Sequence, residues 1–124
     1  MADSVPFPLF IFEKDDRSMF LVDAPEKVLH QMEPIDIENE EYLCWDANGQ
    51  AVKISVSGNR VTRIEHGSSE MSLSEALKRH SDAFGLAVDM TGPVHEVWQR
   101  LKEAEARQPR KGGLRSKVFG KIPP

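Results

Sequence analysis

Residues Tyr42 to His66 read YLCWDANGQAVKISVSGNRVTRIEH. Three runs rich in β-branched and aromatic residues are separated here by Asn48-Gly49 and by Gly58-Asn59. Asn-Gly is the strongest short hairpin signal, because both central residues of a type I′ turn need positive φ. Gly-Asn suits a second two-residue loop for the same reason. Such loops set the register of a three-stranded antiparallel meander. Trp45 is predicted opposite Val52, Leu43 opposite Ile54, Val56 opposite Val61, Ser55 opposite Thr62, and Lys53 opposite Ile64. Side chains alternate between faces, so Leu43, Trp45, Val52, Ile54, Val56 and Val61 share an apolar side. Tyr42, Cys44, Ala51, Lys53, Ser55, Thr62, Ile64 and His66 share a mixed one. One apolar and one mixed face suit a sheet half-buried against helices.

Upstream, Phe7 to Lys14 (FPLFIFEK) and Ser18 to Val22 (SMFLV) flank Asp15-Asp16-Arg17 and predict an opening hairpin. Both parities carry large apolar groups, so these strands are expected to be covered on both faces or to lie centrally. A short helix follows from Asp23, with Glu26 three residues on and Pro25 in the first turn. Val28, Leu29 and Met32 form its buried stripe, and it ends before Pro34. Downstream, Ser72-Leu73-Ser74-Glu75 is a capping box opening a helix through about Phe84, with Gly85 as its stop. Leu73, Ala76, Leu77, His80 and Phe84 mark its apolar side, with His80 flanking it. Leu86 to Met90 is either a short strand or an irregular link. Pro93 begins the last helix, where Val94, Val97, Trp98, Leu101 and Ala104 recur at helical spacing.

The expected fold is α+β: a mostly antiparallel sheet of about five strands, in chain order hairpin, helix and three-stranded meander, packed by two C-terminal helices. Those two helices are expected on the face bearing Leu43, Trp45, Ile54 and Val56. The 124 residues suit one domain, 1–107, with a basic, flexible tail at 108–124.

Composition narrows function by exclusion. Apolar content of 40% and charged content of 29% are ordinary for a globular chain. No apolar run approaches the ~20 residues of a membrane span, and the N-terminus lacks the basic region of a signal peptide. A single cysteine, Cys44, forms no internal disulfide, which suits a reducing, cytoplasmic setting. No nucleophile elbow, Walker loop, dinucleotide fingerprint or zinc spacing is present. The sequence therefore calls for no catalytic residue, cofactor or metal, and a non-enzymatic protein is expected.

Charge placement says more than the net −4. Six bases, Arg107, Arg110, Lys111, Arg115, Lys117 and Lys121, lie from 107 onward with no acid among them. The other ten bases share the body with all 20 acids, leaving it near −10 and the tail near +6. Such a body repels nucleic acid and attracts basic partners. Weak nucleic-acid binding through the tail is the one exception, and Phe119 alone offers stacking there. Acidity peaks at Glu33 to Glu41 (EPIDIENEE), read as a loop pinned by Ile35 and Ile37. Glu33, Asp36, Glu38, Glu40, Glu41 and the following Asp46 are the candidate partner-binding residues.

The stretch Leu9 to Val52 resembles a group of small, mostly uncharacterised bacterial proteins. These share an opening hairpin, a short helix and an E-x-I-D-x-E-N-x-E-Y segment, followed by W-D or F-D and a turn glycine. The pattern falls here on Glu33, Ile35, Asp36, Glu38, Asn39, Glu41, Tyr42, Trp45, Asp46 and Gly49. Some proteins of this kind are read as immunity proteins. The resemblance implies an inhibitor that neutralises a toxin through its acidic surface, and the basic tail has no counterpart in that group. Two rival readings stand beside it. A small-molecule-binding or enzymatic domain would use a polar sheet face of Tyr42, Lys53, Ser55, Thr62 and His66. An assembly or housekeeping protein would use a sheet edge or the tail, with an oligomeric state the sequence leaves open.

Overall fold

A computed structural model describes residues 5–108. The basic-tail reading falls almost wholly on residues 109–124, outside the described residues. Five strands form one antiparallel sheet in the order β2-β1-β3-β4-β5. They are β1 Leu9–Glu13, β2 Met19–Val22, β3 Tyr42–Trp45, β4 Ala51–Ser57 and β5 Arg60–His66. The helices are α1 Val28–Gln31, entered through a 3-10 turn at Pro25–Lys27, then α2 Pro34–Glu38, α3 Leu73–Ala83 and α4 Val94–Arg107. The α+β class and the five strands agree with the sequence pattern.

The interior strand β1, between β2 and β3, buries Leu9, Phe10, Ile11 and Phe12, because helices lie on both sides of it. Phe10 and Phe12 join Met19, Trp45, Leu73, Leu77, Trp98 and Leu101 under α3 and α4. Leu9 and Ile11 join Val22, Val28, Met32, Ile37, Cys44, Val52 and Ile54 under α1 and α2. Trp98 is core, with the Phe10 ring edge-on at 5.5 Å and the Lys102 ammonium 4.7 Å from its ring centroid.

The first hairpin of the meander corrects the expected register by one residue. Cys44 faces Val52 and Trp45 faces Ala51. The cause is Asp46. Its carboxylate accepts the Asn48 and Gln50 amides, and Asp46 N–H reaches the Gln50 carbonyl, so the loop runs from Asp46 to Gln50. Gly49 alone there has positive φ, at 85°. A one-residue slip moves a whole strand's side chains to the other face. The C-terminal helices therefore cover Leu43 and Trp45, as expected, whereas Ile54 and Val56 turn to the α1/α2 side.

The second hairpin keeps Val56 opposite Val61 across Gly58-Asn59, with positive φ only at Gly58. Beyond it the register shifts, so that Ser55 faces Arg63 and Ile54 faces Ile64. An extra β5 residue at Thr62 makes this a bulge, and it brings Val61 and Ile64 onto one face although they are three apart.

Helix α3 has its predicted cap, Ser72 Oγ accepting from Glu75 N–H at 3.1 Å. Helix α4 starts at Val94, directly after Pro93. Residues 86–90 form no regular element; the Arg100 guanidinium holds that link by the Asp89 and Thr91 carbonyls, both at 2.8 Å. The helix expected from Asp23 is instead a 3-10 turn followed by one α turn, and no side chain caps either piece.

Candidate functional site

The acidic segment is a short helix rather than a loop. Pro34 presets the backbone of its first position, and Asp36 in the first turn suits the positive end of the helix. Residues two apart on a helix point to nearly opposite sides, so Ile35 and Ile37 separate. Ile37 is buried, whereas Ile35 is 61% exposed, the one exposed large hydrophobic residue among the described residues. Only one of the two expected anchors therefore holds.

The helix ends in a Schellman motif. Glu40 N–H reaches the Ile37 carbonyl at 3.1 Å and Glu41 N–H reaches the Asp36 carbonyl at 3.0 Å. The left-handed residue of this motif is usually glycine but here is Glu40, with φ 58°. The Glu41 carbonyl then accepts from Lys14 N–H at 2.9 Å, fastening the segment to the end of β1. The backbone is thus fixed while the acids face outward. Glu33, Glu38, Glu40 and Glu41 are exposed and Asp36 is half-buried. None of the five takes part in an ion pair among the described residues. Pro34, Ile35 and Glu38 form a shallow groove of 290 Å³ with Gly58 and Asn59 of the β4–β5 turn.

Tyr42 lies at the inner margin of this patch, its ring edge-on to Phe20 with centroids 6.4 Å apart. Burial pushes its phenol up to about 12, the Glu33 amide pulling down and the Glu13, Asp36 and Glu33 carboxylates adding to the rise. It stays protonated at neutral pH.

Asp46, expected with the partner-binding acids, is not on the exposed acidic surface. It is wholly buried, and besides its two amide bonds its Oδ2 lies 2.7 Å from His66 Nε2. Its role is to shape the β3–β4 loop and clamp it to β5. An Asp followed two residues later by Asn-Gly carries that signal, since an Asp side chain bonds the backbone two residues on.

The polar face proposed for a small ligand is divided. Tyr42 and His66 lie on the α1/α2 side of the sheet, whereas Lys53 and Ser55 lie on the other, opposite Glu65 and Arg63. Thr62 is exposed at the bulge. These five side chains do not converge. A buried carboxylate orienting a partly exposed imidazole has the form of a general base. Among the described residues, however, no second side chain hydrogen-bonds to His66. Burial pushes the Cys44 thiol up to about 12, which leaves it a poor nucleophile.

Among the described residues no three His, Cys, Asp or Glu side chains are placed to share a metal ion, and no helix is long and apolar enough to cross a membrane. No family model matches the chain, and neither a curated protein nor a solved structure was found to be similar to it.

Proposed function

We propose that this is a small non-enzymatic binding protein, an immunity-type inhibitor that docks the α2 surface on a basic partner such as a toxin in the cytoplasm. One observation carries the reading. An apolar side chain, Ile35, stands exposed among carboxylates that have no counter-ions among the described residues. Interfaces commonly pair a central apolar anchor with a charged rim. Glu33, Glu38, Glu40 and Glu41 supply that rim, with Asp36 beside the anchor. Acid-rich surfaces of this kind speed association with cationic partners and make it salt-dependent.

The test is capture from a lysate of the source cell. Immobilised wild type is expected to retain a cationic protein at low salt and to release it as salt rises. Lysine at Glu33, Glu38 and Glu41 together should abolish retention while leaving the fold intact, because all three are exposed. Equal capture of the same protein by the reversed variant would sink the proposal.

A further inference from the structure

One histidine joins α3, α4 and the β1–β2 turn. His80 is 1% exposed, and the Phe84 ring packs on it with centroids 4.7 Å apart. Its Nδ1 lies 2.9 Å from the Arg17 carbonyl oxygen. A carbonyl only accepts, so Nδ1 carries a hydrogen. On the other side, Nε2 lies 3.0 Å from Glu105 Oε2. That contact is bent away from the ring N–H axis, and among the described residues Nε2 has no other partner.

The remaining oxygen of Glu105 receives Lys102 Nζ at 2.7 Å. Burial would raise the Glu105 carboxyl, but the His80 ring and the Lys102 ammonium outweigh it and hold it at about 2. Glu105 is therefore a carboxylate and, like the carbonyl, only accepts. A neutral ring with its hydrogen on Nδ1 would set a bare, electron-rich nitrogen 3.0 Å from this carboxylate oxygen. An imidazolium sets a cation there instead. Of the charged groups around His80 among the described residues, Glu105 of α4 faces it directly and Lys102 stands behind Glu105; the β1–β2 turn presents the Arg17 carbonyl.

We propose that His80 is carried in the core as an imidazolium, and that the charge of its second proton latches α4 to α3 through Glu105, while the Nδ1 hydrogen holds the β1–β2 turn. This makes a pH-sensitive device separate from the α2 surface. An unfolded chain releases its histidine protons near pH ~6.5. A folded chain that keeps this proton binds one more than the unfolded chain does, so stability falls as pH rises beyond that value. The slope is up to about tenfold in the folding constant per pH unit.

Nitrogen-15 NMR of the full-length protein at about pH 7 tests the charge state directly. Both His80 ring nitrogens should carry hydrogen, and a bare Nε2 overturns the proposal. In Glu105→Gln the side-chain amide can donate to Nε2, so the ring is expected to become neutral at the same pH. An unchanged ring there also counts against the latch. Urea unfolding between about pH 6 and 8 supplies a second readout. Wild type should lose about tenfold more in folding constant over this range than Glu105→Gln does. Contributions common to both proteins cancel in this comparison, and equal losses overturn the proposal. If Glu105→Gln does not fold, the wild-type spectrum still decides.

Discussion

The buried Asp46 carboxylate and the partly exposed His66 ring meet at 2.7 Å across twenty residues of chain. That contact, with the Asn48 and Gln50 amides on the other carboxylate oxygen, sets the register of the β3–β4 hairpin. Asp46→Ala leaves two loop amides and the imidazole without their acceptor. A hydrogen bond contributes about 1 kcal/mol net, so losing all three is expected to cost roughly 3 kcal/mol in urea unfolding. His66→Ala should cost roughly 1 kcal/mol, since both amide bonds survive. Equal costs would mean that the amides matter little.

Ile35 and Ile37 offer a paired test of the proposed docking surface. Ile37→Ala removes a buried side chain and is expected to cost about 2–4 kcal/mol. Ile35→Ser lies at an exposed position and should change stability by less than about 0.5 kcal/mol. Its effect should appear only in capture of the proposed cationic partner. A large stability loss for Ile35→Ser would show that the residue is structural.

Glu40 holds a left-handed backbone at the end of α2. That conformation costs a non-glycine residue about 1–2 kcal/mol, whereas glycine adopts it freely at some entropic cost. Glu40→Gly is expected to stabilise the protein by up to about 1 kcal/mol in denaturant unfolding. If Glu40 contacts the partner, the same change weakens capture. Opposite signs for stability and binding would mark a residue kept for function.

Glu105 predicts the acid limb of the stability profile. Its folded carboxyl sits at about 2, below the ordinary 4.5. The contribution is therefore present above about 4.5 and is lost as pH falls through about 2. Urea unfolding of wild type should weaken more steeply over that window than that of Glu105→Gln. Parallel curves would assign the acid sensitivity to other carboxylates.

The α+β class, the hairpin turns at Gly49 and Gly58, the capping box at Ser72 and the apolar stripe of α4 were all legible from local chemistry. Each depends on residues within a few positions of one another, so the chain alone specifies them. The faces of the meander were not legible. Both sides of the sheet centre are covered by helices, so apolar side chains of either parity are acceptable and the pattern cannot choose a register. The choice fell to Asp46, whose two amide bonds lengthen the loop and whose bond to His66 exists only once β5 has folded back.

The candidate site divides in the same way. Its acids are plain in the linear sequence, and charge density alone brings out Glu33 to Glu41. That Asp46 lies inside, that Ile35 stands out and Ile37 does not, and that Tyr42 and Lys53 lie on opposite sides of the sheet were tertiary decisions. So was the burial of His80, which a helical stripe places at the edge of an apolar face and which α4 and the β1–β2 turn enclose. Local spacing specifies which residues share an element, but burial and partners come from elements far apart in the chain.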